Sequence, residues 1–260
     1  MPENILVTIA EAARQRVEIA KEAVTPESLC RKAEALPKLN HPFYQALAKP
    51  DISFICECKQ ASPSKGQIVE HFPYVKIAEE YEAAGADAIS VLTEPQWFKG
   101  GFDYLHEISQ KVSIPCLCKD FTIDEYMIDQ ARLNGAAAVL LIVALLDEET
   151  LSRYLAKAEA LGMDALVECH DENEVATAKR CHARIIGVNN RNLKNFSVDP
   201  HNCLRLREQV GHDCLFVAES GIKNAADVQA LRQADVDAVL IGETMMLAAD
   251  KTQKLKELKQ

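Results

Sequence analysis

Eight short apolar runs recur along this chain, and segments with helical spacing lie between them. The runs are ISFICEC (52–58), ADAISVL (86–92), SIPCLCK (113–119), AAVLLIV (137–143), DALVEC (164–169), RIIGVN (184–189), CLFVAES (214–220) and DAVLIG (237–242), roughly 20 to 35 residues apart. Amphipathic stretches such as VKIAEEYEAAG (75–85) and EETLSRYLAKAEALG (148–162) fill the gaps, most ending near a glycine that can close a helix. Short strands that alternate with helices pair in parallel through right-handed crossovers. Eight such units in about 200 residues suit a closed (β/α)8 TIM barrel; periodicity alone leaves a doubly wound open sheet as the alternative.

The first 50 residues stand outside this repeat. ILVTIAEAARQRVEIAKEA (5–23) has helical spacing and HPFYQALAKP (41–50) reads as a short helix closed by Pro50. Residues 1–50 are therefore expected as an N-terminal helical extension that forms a lid over one end of the barrel. No low-complexity tract and no Pro-rich or Gly/Ser-rich linker divides the 260 residues, so a single barrel domain over 1–260 is expected. Acidic residues outnumber basic ones 39 to 29, a net charge of −10 that lacks the positive field nucleic acid or anionic lipid needs. The longest apolar run, AAAVLLIVALL (136–146), falls short of the roughly 20 residues of a membrane-spanning helix. MPENILVTIAEAARQ lacks the basic start and apolar block of a secretory signal, and a cytoplasmic address is expected. Nine cysteines, an odd number spread through strand-like segments, suit reduced buried thiols rather than a disulfide framework.

Side chains alternate across a strand, so Glu57 and Lys59 share one face while Cys56 and Cys58 share the other. Likewise Leu117 and Lys119 oppose Cys116 and Cys118, and Glu168 opposes Val167 and Cys169. The C-terminal rim of a (β/α)8 barrel holds its active site, which singles out Glu57, Lys59, Lys119 and Glu168 as a set. A lysine works as an acid near neutral pH if a neighbouring cation lowers its pKa, and Lys59 is the candidate neighbour for Lys119. Glu168 is expected to be held near its working pH by partial burial or nearby charge. The Cys-x-Cys pairs lack zinc-knuckle spacing and a matching His or Cys cluster, so they read as packing groups and no metal is expected.

Two later motifs add an anion signature. AESGI (218–222) and LIGETMM (240–246) leave strands seven and eight through glycine into a helix, where free N–H groups and the helix dipole collect phosphate. SPSKG, after strand one, adds Ser62 and Lys65. GVNNRNL puts Asn189 and Arg191 at the rim, either to orient a hydroxyl and clamp a carboxylate or as an Asn-rich turn with a surface Arg. His170 is the one histidine near a strand end, and it reads as a satisfied or solvated side chain.

In serial order, ECKQASPSKG, LTEPQWFKGG, CKDF, VECH, IIGVNNRNL, AESGI and LIGETMM resemble the indole-3-glycerol-phosphate synthase family of tryptophan biosynthesis, over essentially the whole chain. The resemblance implies a carboxy-lyase that closes 1-(2-carboxyphenylamino)-1-deoxyribulose 5-phosphate to indole-3-glycerol phosphate, with loss of carbon dioxide and water and with no cofactor or metal. It implies Lys119 as general acid at the ketone oxygen, Glu168 as general base in the dehydration, and Lys59 with Glu57 as the pair that holds the substrate carboxylate. Asn189, Arg191 and Ser220 become substrate-positioning groups; Ser62, Gly221, Gly242 and Glu243 fall at phosphate positions, and Trp97, Phe98 and Phe121 near the aromatic-ring pocket. The implied partner is a small phosphorylated molecule, not nucleic acid or membrane. The implied assembly is a monomer or weak homodimer, open to contact with other pathway enzymes.

Two places depart from that pattern. Gln60 and Ala61 stand where a basic residue is frequent, and Glu243 stands where serine is, so its carboxylate would repel phosphate unless only its N–H makes contact. Thr244 is the substitute hydroxyl. The rival readings are another phosphate-binding barrel such as phosphoribosylanthranilate isomerase, with Asp120 and Cys118 as its acid–base pair, and a non-catalytic thiol protein for metal or redox chemistry.

Overall fold

A computed structural model describes residues 5–192 and 196–260. Three helices lead, α1 Ile5–Ala23, α2 Pro26–Glu34 and α3 Pro42–Leu47. Eight strands follow: β1 Ser53–Cys58, β2 Ala88–Leu92, β3 Cys116–Lys119, β4 Ala138–Ile142, β5 Asp164–Cys169, β6 Ile185–Asn189, β7 Leu215–Glu219 and β8 Ala238–Ile241. Each is parallel to its serial neighbours, and β8 pairs with β1 to close the barrel. The crossovers carry α4 Tyr74–Ala83, α5 Phe102–Ser109, α6 Glu125–Leu133, α7 Glu148–Ala160, α8 Glu172–Arg180, α9 His201–Val210 and α10 Ala225–Gln233, and α11 Glu243–Met246 and α12 Lys251–Leu258 come last. All eight apolar runs are strands, trimmed at their ends.

Alternation sorts the side chains as the sequence predicts. Ile55, Leu117, Leu140, Leu166, Val217 and Leu240 fill the barrel interior. Phe54, Cys56, Cys58, Cys116, Cys118 and Cys169 belong to the second core, between strands and helices. All nine cysteines are free. Burial pushes the Cys56 and Cys118 thiols up to about 12, so they pack as protonated hydrophobes and offer neither nucleophile nor metal ligand.

The extension covers more than the one end expected. At the mouth, Ile5, Leu6 and Ile9 of α1 line the cavity above the strand ends, and Arg16 binds Asp120 at 2.8 Å, one residue past β3. At the opposite end α3 closes the barrel floor. Phe43 and Leu47 sit fully buried among the interior residues, and Asp164, which begins β5, accepts the Tyr44 N–H at 2.9 Å. Helical periodicity marks an apolar face but not which surface it meets, so the two docking sites were not readable from it. Removing the floor plug should cost stability without touching the mouth. Phe43→Ala is expected to lower the unfolding free energy by about 3–5 kcal/mol in chemical denaturation.

Candidate active site

The four odd-numbered strands each bring one ionisable side chain to the mouth: Glu57 from β1, Lys119 from β3, Glu168 from β5 and Glu219 from β7. Alternate strands contribute to a common layer of a barrel interior, so these four groups converge. Lys119 Nζ lies 2.5 Å from Glu219 Oε2 and 3.5 Å from Glu168 Oε2. Lys59, just past β1, reaches Glu57 Oε1 at 2.6 Å, and the Ser90 hydroxyl donates to Glu57 Oε2 at 3.3 Å. All four layer residues line a cavity of about 560 Å³ together with Lys59, Asn189 and Arg191.

Burial would favour a neutral Lys119, but Glu219, Glu168 and Glu57 outweigh it and hold the ammonium above its ordinary value. This reverses the lowered pKa expected from Lys59, whose charge is taken up by Glu57. The carboxylates divide. Burial would raise Glu168, yet Lys119, His170 and Asn189 pull it down to about 2, well below the working range expected of it. Burial and the neighbouring Glu168 charge push Glu219 up to about 7, against the pull of Lys119. Geometry supports that division: Glu168 has Lys119 near one oxygen and His170 near the other, while Glu219 Oε1 is buried with no hydrogen-bond partner among the described residues. Of the two carboxyl groups, Glu219 is the one pushed toward its protonated form and Glu168 the one held as an anion.

Glu219 was not singled out from the sequence, although its parity with the inward Leu215 and Val217 marks it. A second missed signal is Gly187, in the middle of β6. A Cβ there would stand 2.3 Å from Glu219 Oε1 and 3.0 Å from Leu166 Cδ1, so the glycine makes room for the carboxylate. Gly242 does the same for β1, since its Cβ would meet Glu57 Oε1 at 2.5 Å and Lys59 Nζ at 2.9 Å.

The remaining predicted groups gather mostly as expected. Ser62, Ser220, Gly221, Gly242 and Glu243 line the cavity, as do Phe98 and Phe121 with Leu6 and Ile9. SPSKG forms a tight antiparallel hairpin, with Ser62 opposite Gly66. Ser220 and Gly221 both take left-handed backbone, φ 68° and 84°, and Asn190 Nδ2 holds the Ser220 carbonyl at 3.1 Å. Arg191 lines the cavity, with Nη1 donating to the Phe196 carbonyl at 3.3 Å. Trp97 is not among the residues that line the cavity. The buried Glu94 carboxylate accepts the N–H groups of Gln96, Trp97 and Phe98, and this turn gives Phe98 the inward position instead. Glu243 is paired with Lys65 at 3.2 Å, which offsets the negative charge at the anion loop. Thr244 does not stand in as a donor, because its hydroxyl donates to the Ile222 carbonyl at 2.7 Å. Asp120 is held by Thr93 and Arg16, so the Cys118–Asp120 pair has no free acid–base partner.

The family model for indole-3-glycerol phosphate synthase matches residues 6–258. The chain belongs to this family. It is 52% identical over 256 residues to the indole-3-glycerol phosphate synthase of Ruminiclostridium cellulolyticum, covering 98% of each chain. It is 50% identical over 256 residues to that of Endomicrobium trichonymphae, covering 98% of this chain and 99% of the relative. A solved 3-hexulose-6-phosphate synthase from Salmonella typhimurium shares the fold at TM-score 0.66 and 15% identity, over 80% of this chain and 97% of its own. Members of the indole-3-glycerol phosphate synthase family are carboxy-lyases of tryptophan biosynthesis, and the isomerase and thiol readings fall away.

The tight seat of Glu219 yields a direct test. Gly187→Ala displaces the carboxylate by about 1 Å, and a misplacement of that size is expected to cost on the order of 100-fold in kcat. Far-ultraviolet circular dichroism should show the barrel intact.

Proposed function

We propose that this chain closes 1-(2-carboxyphenylamino)-1-deoxyribulose 5-phosphate to indole-3-glycerol phosphate, releasing carbon dioxide and water, in the cavity above β1, β3, β5 and β7. The observation that carries the reading is a half-buried ammonium, Lys119, held between the buried carboxylates of Glu168 and Glu219 inside a cavity lined by both anion-loop and aromatic residues. Backbone N–H groups at Gly221 and Gly242, with Ser62, would receive the phosphate, and Lys65 screens Glu243 from it. Phe98 and Phe121, in contact with ring centroids 6.0 Å apart, would together form an apolar wall against the aminobenzoate ring. Lys59, with Glu57, takes the ring carboxylate; Asn189, Arg191 and Ser220 position the sugar portion.

Lys119 gives its proton to the ketone oxygen as the ring carbon attacks. Charge growing on that oxygen competes with Glu219 and Glu168 for the ammonium, so transfer occurs when the new bond forms. Loss of carbon dioxide restores the aromatic ring. The later dehydration needs a base, a role the resemblance gives to Glu168. A carboxylate held as low as Glu168 is a poor acceptor, and Glu219, near 7, is the better one at neutral pH. In this reading Glu168 anchors Lys119 instead.

The small phosphorylated substrate needs no positive surface field, and among the described residues no helix is long and apolar enough to cross a membrane. The exposed large apolar side chains, Val7, Ile19, Leu36 and Leu247 among the described residues, are few, which supports a monomer or weak homodimer. Contact with other pathway enzymes and a cytoplasmic address remain part of the proposal.

Turnover followed by indole fluorescence tests these roles. Lys119→Ala and Glu168→Gln should each lose about 100-fold or more in kcat/KM. If Glu219 is the base, it acts when ionised and after carbon dioxide has left, so wild-type kcat rises with pH through about 7 and then levels. Glu219→Gln should be slow and flat across that range. Undiminished turnover in Lys119→Ala and Glu168→Gln would overturn the assignment.

A further inference from the structure

Glu168 meets a different basic side chain on each oxygen: Lys119 Nζ is 3.5 Å from Oε2 and His170 Nε2 is 3.4 Å from Oε1. His170 lies one residue past β5 and shares the inward parity of Glu168, but it does not line the cavity. It is held from the helix side. Glu174, in the first turn of α8, faces both the His170 backbone N–H at 2.7 Å and Nδ1 at 3.1 Å. Asn202 of α9 donates to the His170 carbonyl at 3.2 Å.

With Nδ1–H directed at Glu174, the tautomer question reduces to Nε2. That atom is buried and has no conventional hydrogen-bond partner among the described residues, and the ion-pair contact it makes is with Glu168. An imidazole placed between two carboxylates is stabilised with a proton on each nitrogen. The other groups around it do not change that balance. Asp171 is committed to capping α8, Asn189 and Asn202 are neutral, and Lys119 lies on the far side of Glu168. Burial would favour the neutral ring, but Glu168 and Glu174 together hold His170 up at about 10.

We propose that His170, oriented by Glu174, is a positioning residue: a permanent imidazolium that pins Glu168 as an anion facing Lys119 and thereby leaves Glu219 as the carboxylate that exchanges protons. The inference rests on the proposed reaction for its kinetic consequence but not for the charge state of His170. Without the imidazolium, Glu168 loses the cation on Oε1 and competes with Glu219 for the proton. The rate then falls through mispositioned acid and base, while substrate contacts stay in place.

Proton NMR of the histidine ring signals of the whole chain tests the charge state, with the His170 signal identified by its loss in His170→Asn. The expected result is a wild-type signal that does not move from about pH 5.5 to 8.5, and a titration brought into that range by Glu174→Gln. In turnover, His170→Asn should lower kcat about tenfold with KM within about twofold, and should shift the neutral limb of the pH profile seen in wild type. A wild-type His170 that titrates near its ordinary value of about 6.5 would overturn the proposal. So would a folded His170→Asn with unchanged kcat and pH profile. Wild-type turnover tests the reaction, whereas the titration needs no substrate and tests His170 alone.

Discussion

A closed ring of eight parallel strands obliges each strand to send every second side chain into one shared interior, and the rest of this molecule follows from that constraint. Below the mouth the interior positions are mostly Ile, Leu, Val and Ala, which pack into one core. At the last inward position of the four odd strands the same geometry delivers Glu57, Lys119, Glu168 and Glu219 to a common layer. The outward positions hold thiols and aliphatic groups against the helices. A shift of one residue in β1 or β5 would exchange a carboxylate of this layer for a cysteine.

Charges taken from water at the barrel mouth are tolerable only if they neutralise one another. Lys119 satisfies Glu219 and one oxygen of Glu168, Lys59 satisfies Glu57, and His170 attends the other oxygen of Glu168. The compensation is uneven. Glu219 keeps one buried oxygen with no hydrogen-bond partner among the described residues, above a glycine that leaves room for it. That imbalance separates the proton affinities of two carboxyl groups bound to the same lysine, as a site that must both hold and move protons requires.

Much of this was legible in residue parity. The eight strands, the outward cysteines and the inward Glu57, Lys119 and Glu168 follow from alternation alone, and the late glycine motifs fall at the cavity. What escaped depends on contacts across the barrel. Lys59 and Lys119 appear as neighbouring cations when strands are read singly, but Lys59 turns to Glu57 on its own strand and Lys119 crosses to β5 and β7. The sign of the Lys119 shift reverses accordingly. Glu219 was overshadowed by the Ser-Gly turn that follows it, and His170 read as satisfied or solvated with no partner named, because Glu174 becomes its neighbour only once α8 forms. Trp97 and Phe98 are adjacent in sequence, and only the turn around Glu94 decides which one faces the cavity.

The central claim is that, of the three carboxyl groups in the layer, Glu219 alone takes up a proton near neutral pH. Infrared difference spectra between about pH 6 and pH 8 read this directly, because a protonated carboxyl group has a carbonyl band distinct from that of a carboxylate. The account predicts a band that grows as pH falls through about 7 and is absent from Glu219→Gln. A band that persists in Glu219→Gln and disappears in Glu168→Gln would contradict it.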